Sequence, residues 1–308
     1  ENGLIKLKYD FINLYINNKD MGIYVVEEFF TKHILEKNKR KNGPIFSVQE
    51  SFETKFVNSK FEVYDKRIWL NDANIALTKN ILSKLKLFIN SKIGASETLD
   101  LDMWSSYLAT TDLLRTYHGA NLKSQKFYYN ITTNKFEPVP FDGHFWNPIL
   151  SHASKEDRDR IMIEVSGDEM DTPGVVSYST FLANTLINDE LFAKKYFSAL
   201  KKVSSKEFLD NFFNKRKNAI NRISSLIYSD YFLNDFVHFY GPGIYYFDKE
   251  KIYERAKIIR KKMYTDKNKI FAYTRNNKII IENNNVFNPF TVVNKIFCKK
   301  NYDQINMD

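Results

Sequence analysis

The residues best suited to chemistry lie in one stretch of the chain, between Tyr107 and Trp146. It contains two aspartates, one histidine and one asparagine of particular interest: Asp112, His118, Asn121 and Asp142. An imidazole with a pKa near the ordinary value of ~6.5 can take up a proton near neutrality. Carboxylate and amide oxygens are ligands that Mg²⁺ prefers. The stretch therefore predicts a site for a metal ion or for proton transfer.

A helix, a polar loop and a hairpin are predicted to position these groups. The helix carries apolar residues at spacings near three and four: Leu101, Trp104, Leu108 and Leu113. Strand-forming residues at Lys126–Tyr129 can pair with Lys135–Val139. Pro138 and Pro140 impose extended geometry on the residues before them, so we expect Asp142 at a rigid strand end. Polar groups held on loops by such a scaffold are typical of functional sites.

Length and composition are those of a globular protein with an aromatic core. The 308 residues allow one large or two small domains. Aromatic residues make up 16% of the chain, which indicates a packed core rather than disorder. The net charge of +9 favours anionic partners, although scattered lysines are also typical of a solvated surface. The one cysteine, Cys298, excludes an intrachain disulfide and a cysteine-based metal site.

The N-terminal part is predicted to form antiparallel strands followed by helices. We expect strands at Leu4–Lys8 and Phe11–Ile16, with Gly22–Val26 as their partner. The next helix is predicted over Glu27–Lys37, with His33 packed on the same face as its apolar residues. An amphipathic helix is expected over 73–89. Because a strand begins so close to Glu1, we expect this chain to be part of a longer polypeptide.

The C-terminal half is predicted to be helical and then β-rich. Helices are expected over 155–163, 178–186, 189–203, 206–228 and 249–264. An acidic loop separates the first two at Gly167–Gly174. After Asp266, short apolar runs alternate with Asn-rich turns, which predicts short strands. No apolar run approaches the ~20 residues of a membrane span, so we expect none.

Three segments carry a resemblance to a known family. The run HGANLKSQKFYYNITTNKFEPVPFDG resembles the core signature of the CotH-type kinases, the spore-coat-protein-H family with an atypical protein-kinase fold. INLYINNKDMGIYVVEEFF is similar to the family's upstream strand, turn and hinge segment. INDELFAKKYFSALKKVSSKEFLDNFF is similar, more weakly, to its C-terminal helical segment. Together these matches span roughly residues 12 to 230.

The resemblance implies an α+β, kinase-like fold in two lobes. It would consist of a truncated small lobe with the hinge over residues 1–60 and a mostly helical large lobe over 61–265. Residues 266–308 would begin a further β-rich region. The implied activity is transfer of the γ-phosphoryl group of ATP to a protein hydroxyl with Mg²⁺. The alternative is a catalytically silent kinase-like module that binds or assembles within a larger surface or matrix protein.

The resemblance also assigns roles to residues, with one departure from the family pattern. Asp142 occupies the position of the metal-binding aspartate; otherwise it would cap the following turn. The preceding loop should supply a catalytic acid and then an asparagine, but this chain has His118 and Asn121 there. Asn121 can act as a metal ligand or stabilise the loop, and His118 can act as the base or be structural. Asp112 is the nearest upstream carboxylate, within the predicted helix and with a structural role as its alternative.

The nucleotide would lie against the hinge segment. Glu27 or Glu28 would reach the ribose, or would interact only with the dipole at the start of the predicted helix. The lysine that binds the α- and β-phosphates is not assignable and is expected upstream of Glu1. The resemblance also implies a bacterial source and an association with coat, envelope or extracellular proteins.

Two other functional classes find less support in the sequence. A metal hydrolase would use Asp142 with histidines such as His118, His144 and His152, but no HExxH or other compact metal-binding spacing is present. A nucleic-acid-binding module is suggested only by the positive charge and scattered aromatic residues, without a motif. We therefore expect a nucleotide and a protein substrate as partners.

Overall fold

The protein combines helices and antiparallel strands, which confirms the α+β class. A computed structural model describes residues 3–48, 60–120, 124–143, 186, 189–228, 249–264, 270–275, 278–283, 295–297 and 304–306. The chain divides into two compact units, Glu1–Arg260 and Lys261–Asp308. In the described part of the chain, no helix has the length and apolar character needed to cross a membrane.

The first unit opens with a two-stranded hairpin. Strand β1 (Tyr9–Ile16) pairs antiparallel with β2 (Lys19–Glu27). Asn17 and Asn18 make the tight turn, with φ of 51° and 63°, a backbone region that asparagine tolerates better than most residues. Arg222 pairs with Asp10 of β1 at 2.5 Å, which lowers the pKa of that carboxyl. This ion pair connects the hairpin to a helix of the same unit.

Three predictions for the start of the chain were wrong. Leu4–Lys8 is not a strand. The backbone N–H of Lys6 donates to the side-chain oxygen of Asn38 at 2.9 Å, and the side-chain amide of Asn38 donates to the Lys6 carbonyl at 3.0 Å. The Lys6 backbone therefore bonds a side chain rather than a neighbouring strand. The predicted helix over Glu27–Lys37 is shorter, because β2 extends through Glu27 and helix α1 spans only Lys32–Lys37. His33 is exposed, while Ile34 and Leu35 turn inward. The predicted packing of His33 is therefore also wrong.

A four-stranded antiparallel sheet forms the centre of the first unit. Its order is β4 (Phe61–Val63), β3 (Ile45–Val48), β5 (Lys126–Asn130) and β6 (Lys135–Val139). The predicted hairpin is confirmed, with Lys126 opposite Val139 in the register.

Helices follow or pack against this sheet. They are α2 (Lys66–Trp69), α3 (Ile75–Ile89), α4 (Ala95–Thr98), α5 (Leu101–Leu114), α6 (Glu190–Val203), α7 (Lys206–Tyr228) and α8 (Lys249–Tyr264). Trp104 of α5 packs on Phe127, with ring centroids 5.4 Å apart, and its indole N–H donates to the Phe136 carbonyl at 2.9 Å. This contact fixes α5 against the hairpin. The helices expected over 155–163 and 178–186, and the acidic loop between them, lie outside the described residues.

The second unit contains short strands, as predicted. Strand β7 (Ile270–Arg275) pairs with β8 (Lys278–Asn283), and β9 (Lys295–Phe297) pairs with β10 (Gln304–Asn306). Both pairs are antiparallel. Among the residues described after Asp266, these strands form two separate two-stranded sheets.

Candidate functional site

Asp142 lies three residues beyond the end of β6, in an unusual backbone conformation. Its φ is +51°, in the left-handed region that few residues other than glycine adopt. Aspartate tolerates this region better than most side chains, yet such positions commonly store strain at functional sites. Asp142 is only partly buried, and the exposed Gly143 follows it. A partly accessible carboxylate is thus held on a constrained turn after the hairpin.

A hydroxyl lies beside this carboxylate. The Oγ of Ser124 donates to Oδ2 of Asp142 over 3.5 Å, at the outer limit for a hydrogen bond. Ser124 is almost completely buried. Carboxylate and hydroxyl oxygens are hard ligands of the kind that suits Mg²⁺. The donor set therefore fits a magnesium ion, with Ser124 as a contributor that the sequence analysis did not single out.

The loop before the β5–β6 hairpin lies against the Asp142 turn. Residues Tyr117–Ala120 form a single 3₁₀ turn, and a Cβ placed on Gly119 would lie 2.3 Å from the Phe141 carbonyl oxygen. The buried Tyr107 hydroxyl of α5 donates to the Gly119 carbonyl at 2.7 Å. Gln125 donates to the Ala120 carbonyl at 2.8 Å. Contacts from both the helix and the hairpin thus hold the loop against the aspartate turn.

This geometry bears on the two loop residues predicted to act in the site. The backbone of His118 lies in the 3₁₀ turn, directly before Gly119, and therefore close to Asp142 in space. Asn121 lies outside the described residues. The roles of both residues in catalysis and metal binding stay predictions.

The end of β2 approaches the same turn. Tyr9 stands opposite Glu27 in the hairpin register, and its hydroxyl donates to Glu27 Oε1 at 2.6 Å. Burial and the Glu27 carboxylate raise the pKa of Tyr9; the nearby Asp142 acts on it in both directions, its backbone lowering the pKa and its negative charge raising it. Tyr9 therefore brings the predicted nucleotide-binding Glu27 close to the predicted metal-binding Asp142. Tyr9 was not predicted as a site residue, because its position depends on the hairpin register.

Glu28 has a different environment from Glu27. Its Oε1 accepts from Lys37 at 2.5 Å, and its Oε2 accepts from the Lys8 backbone N–H at 2.7 Å. The hydrogen bond from Lys37 lowers the pKa of Glu28. Both carboxylate oxygens thus tie α1 and the N-terminal segment to the end of β2. The role of Glu28 in binding a ribose stays a prediction.

Asp112 lies in the interior of the helical part of the first unit. Its side chain on α5 is fully buried and accepts a hydrogen bond from the Tyr196 hydroxyl of α6. The guanidinium of Arg255 in α8 donates to the Asp112 carbonyl at 3.2 Å. These contacts connect three helices at one point, as expected of a residue that stabilises the helical core. A catalytic role for Asp112 stays a prediction.

The described residues contain no group of three or more histidine, cysteine or acidic side chains placed to hold a metal ion. A magnesium ion at Asp142 would therefore take further oxygen ligands from hydroxyls, amides, water or a bound phosphate, as Mg²⁺ commonly does.

A known protein family matches most of the chain. The family described as CotH kinase protein matches residues 2–276, which include both hairpins of the first unit and the candidate site. A search of curated proteins found no match.

Proposed function

The chain belongs to the CotH kinase family, and we propose that it transfers the γ-phosphoryl group of ATP to a protein hydroxyl. The observation that carries the proposal is the constrained Asp142 turn. It is contacted by Ser124, abutted by the Tyr117–Ala120 turn and approached by Glu27 through Tyr9. The fold we propose is the two-lobed kinase type, with the nucleotide between the end of β2 and Asp142.

In this proposal the residues around Asp142 hold the metal and the nucleotide. The Asp142 carboxylate, the Ser124 hydroxyl and the Asn121 amide would hold Mg²⁺. When bound, Mg²⁺ supplies positive charge that offsets the charge on the phosphate oxygens. Glu27, at the end of β2, would accept from the ribose hydroxyls, with Glu28 as the neighbouring candidate. Tyr9 would orient Glu27 through the hydrogen bond described above.

The proposed base is His118, whose backbone position in the 3₁₀ turn places it near the Asp142 turn. A neutral imidazole there would take the proton of the acceptor hydroxyl. Asp112 is the second candidate, but its burial and its hydrogen bond with Tyr196 favour a structural role. A phosphotransfer rate that rises through a pKa near neutrality would favour the histidine.

The same proposal divides the chain into three parts. Residues 1–60 would provide the end of a small lobe and the hinge, 61–265 the large lobe, and 266–308 the start of a further β-rich region. The nucleotide and a protein substrate would be the partners, with the chain forming part of a longer polypeptide. Association with a bacterial coat or envelope is the setting that we infer from the family.

The second candidate function is a catalytically silent binding module. It is favoured by the absence of the expected aspartate from the loop at His118–Asn121. Such a module would bind nucleotide weakly or not at all. It would act through its surface within a larger protein.

A phosphotransfer assay separates the two candidates. The longest available form of the protein is incubated with γ-labelled ATP, Mg²⁺ and a general protein acceptor, and label transfer is measured. We expect transfer by the wild type, loss of about a hundredfold or more in Asp142→Ala, and little change in the exposed-site control Asp72→Ala. Equal label transfer by the wild type and Asp142→Ala would contradict the proposal. Nucleotide binding without transfer would favour the silent module.

A further inference from the structure

A lysine side chain is buried beside the candidate site. Lys126 is the first residue of β5, and only 6% of its surface is exposed. Its ammonium lies 4.9 Å from the ring centroid of Phe141 and 5.8 Å from that of Phe30. Cation–π attraction of this kind offsets part of the cost of removing an ammonium from water. The positive charge is therefore held in a defined place.

That place lies between two segments of the proposed nucleotide site. Phe141 directly precedes Asp142, and Phe30 lies two residues after Glu28, just beyond the end of the β1–β2 hairpin. The two rings contact each other, with centroids 5.0 Å apart. An ammonium held over both rings is thus close to the segment that carries the metal-binding carboxylate and to the segment assigned to the hinge.

Lys126 and Ser124 both contact the segment that carries Asp142. The Ser124 hydroxyl donates to the Asp142 carboxylate, and the Lys126 ammonium lies against the ring of Phe141, the residue before Asp142. A lysine ammonium has three donors and no acceptor, and low-dielectric walls concentrate its field on nearby anions.

We propose that Lys126 binds a phosphate oxygen of the nucleotide that occupies the Asp142 site. The inference rests on the proposed function and adds a phosphate-binding cation from the central sheet. From the sequence, we expected that cation upstream of Glu1. The Lys126 ammonium would contact the phosphate group, and Asp142 and Ser124 would hold the metal.

Calorimetric titration of the wild type and Lys126 variants with ATP, ADP and adenosine, in the presence of Mg²⁺, tests this role. Lys126→Met keeps the length of the side chain and removes the charge, and Lys126→Arg keeps the charge. Lys79→Met, at an exposed lysine of α3, is the matched control. We expect Lys126→Met to weaken ATP and ADP binding about tenfold to a hundredfold, as for a hydrogen bond to a charged group. Adenosine binding should be unchanged, and Lys126→Arg should recover most of the loss.

The outcomes separate this inference from the proposed function. Wild-type binding of ATP that depends on Asp142 but not on Lys126 would overturn the inference and leave the function standing. Equal weakening of adenosine and ATP by Lys126→Met would also overturn it, because the lysine would then act on the base or on the fold. No binding of ATP by the wild type would overturn the proposed function and this inference with it. A thermal unfolding curve for each variant confirms that the titrated protein is folded.

Discussion

At the scale of single residues, the site depends on where two carboxylates and their partners are held. Asp142 is constrained by its backbone and contacted by Ser124, whereas Glu27 is oriented by Tyr9. Glu28, only one residue from Glu27, is engaged with Lys37 and the Lys8 backbone. Neighbouring acidic residues in the sequence therefore have different environments.

The Glu28–Lys37 pair predicts a pH-dependent contribution to stability. The pKa of Glu28 is lowered from 4.5 by the Lys37 hydrogen bond, so its stabilising effect is fully present above that value. The effect is lost as the pH falls through the lower pKa of the folded state. We expect Lys37→Met to cost less than about 1 kcal/mol at pH 7, because the pair is partly exposed.

Urea denaturation of the wild type and Lys37→Met at pH 7 and pH 3 measures this contribution. The difference in unfolding free energy between the two proteins should shrink at pH 3. Lys79→Met, at an exposed lysine of α3, provides the control. A difference that stays constant or grows at pH 3 would contradict the assigned role of the pair.

At the scale of elements, the β5–β6 hairpin determines the position of the site. Its open end carries both Lys126, at the start of β5, and the Asp142 turn, which follows β6, and Trp104 of α5 packs against the hairpin. Glu137 of β6 is buried and bonded by Arg40 at 2.8 and 2.9 Å. Asn130 donates to the other carboxylate oxygen at 2.6 Å. These contacts connect the segment after α1 to the hairpin.

Removal of Arg40 should destabilise the hairpin strongly. Arg40→Met would leave the buried Glu137 carboxylate without its cation, a change that typically costs about 3–5 kcal/mol. Urea denaturation measures the loss, and Lys41→Met, at an exposed neighbour, should be close to neutral. The double variant Arg40→Met/Glu137→Met should recover part of the stability. A loss below about 1 kcal/mol for Arg40→Met would show that the pair does not stabilise the fold.

The close approach of the 3₁₀ turn to the aspartate turn gives a second prediction at this scale. In Gly119→Ala, the new Cβ would lie 2.3 Å from the Phe141 carbonyl oxygen, so one of the two segments must shift. We expect a stability loss of about 1–3 kcal/mol and weaker binding of ATP with Mg²⁺. Gly94→Ala is the control, since its Cβ would lie 3.5 Å from the flexible Glu97 side chain. If Gly119→Ala left the nucleotide affinity unchanged, the close approach of these two segments would not be needed for nucleotide binding.

At the scale of the whole molecule, the chain forms two compact units with a boundary within α8. The N-terminal part of α8 belongs to the first unit, because Ala256 and Ile259 are buried and Arg255 bonds the Asp112 carbonyl. A chain that ends at Tyr264 would therefore keep all of the contacts that α8 makes within the first unit. The strands from Ile270 onward would be removed.

This division predicts that residues 1–264 fold without the second unit. The thermal midpoint of the shortened chain should lie within about 2 °C of the first transition of the full chain, since ~1 kcal/mol corresponds to a shift of 2–4 °C in a domain of this size. Differential scanning calorimetry of both proteins measures it. A much lower midpoint would show that the first unit depends on the second.

Much of this architecture was predictable from the sequence because it is local. The β5–β6 hairpin, α7 and the position of Asp142 after two prolines follow from alternation, periodicity and backbone restriction. The long-range features were not predictable. The contact of Tyr9 with both Glu27 and Asp142 depends on strand register and on how the hairpin meets the aspartate turn. The burial of Lys126 between two rings depends on packing, since a lone lysine at a strand start is usually exposed.

The central claim is that Asp142 holds Mg²⁺ for a bound nucleotide, and a thermal-shift titration tests it most directly. A ligand that binds only the folded state stabilises it by RT ln(1 + [L]/Kd), about 2.7 kcal/mol at a hundredfold excess over Kd. We predict that ATP with Mg²⁺ raises the unfolding temperature of the wild type and of Asp72→Ala. The rise should require Mg²⁺, and it should be absent in Asp142→Ala. A rise of equal size in Asp142→Ala, or no rise in any of the proteins, would contradict the claim.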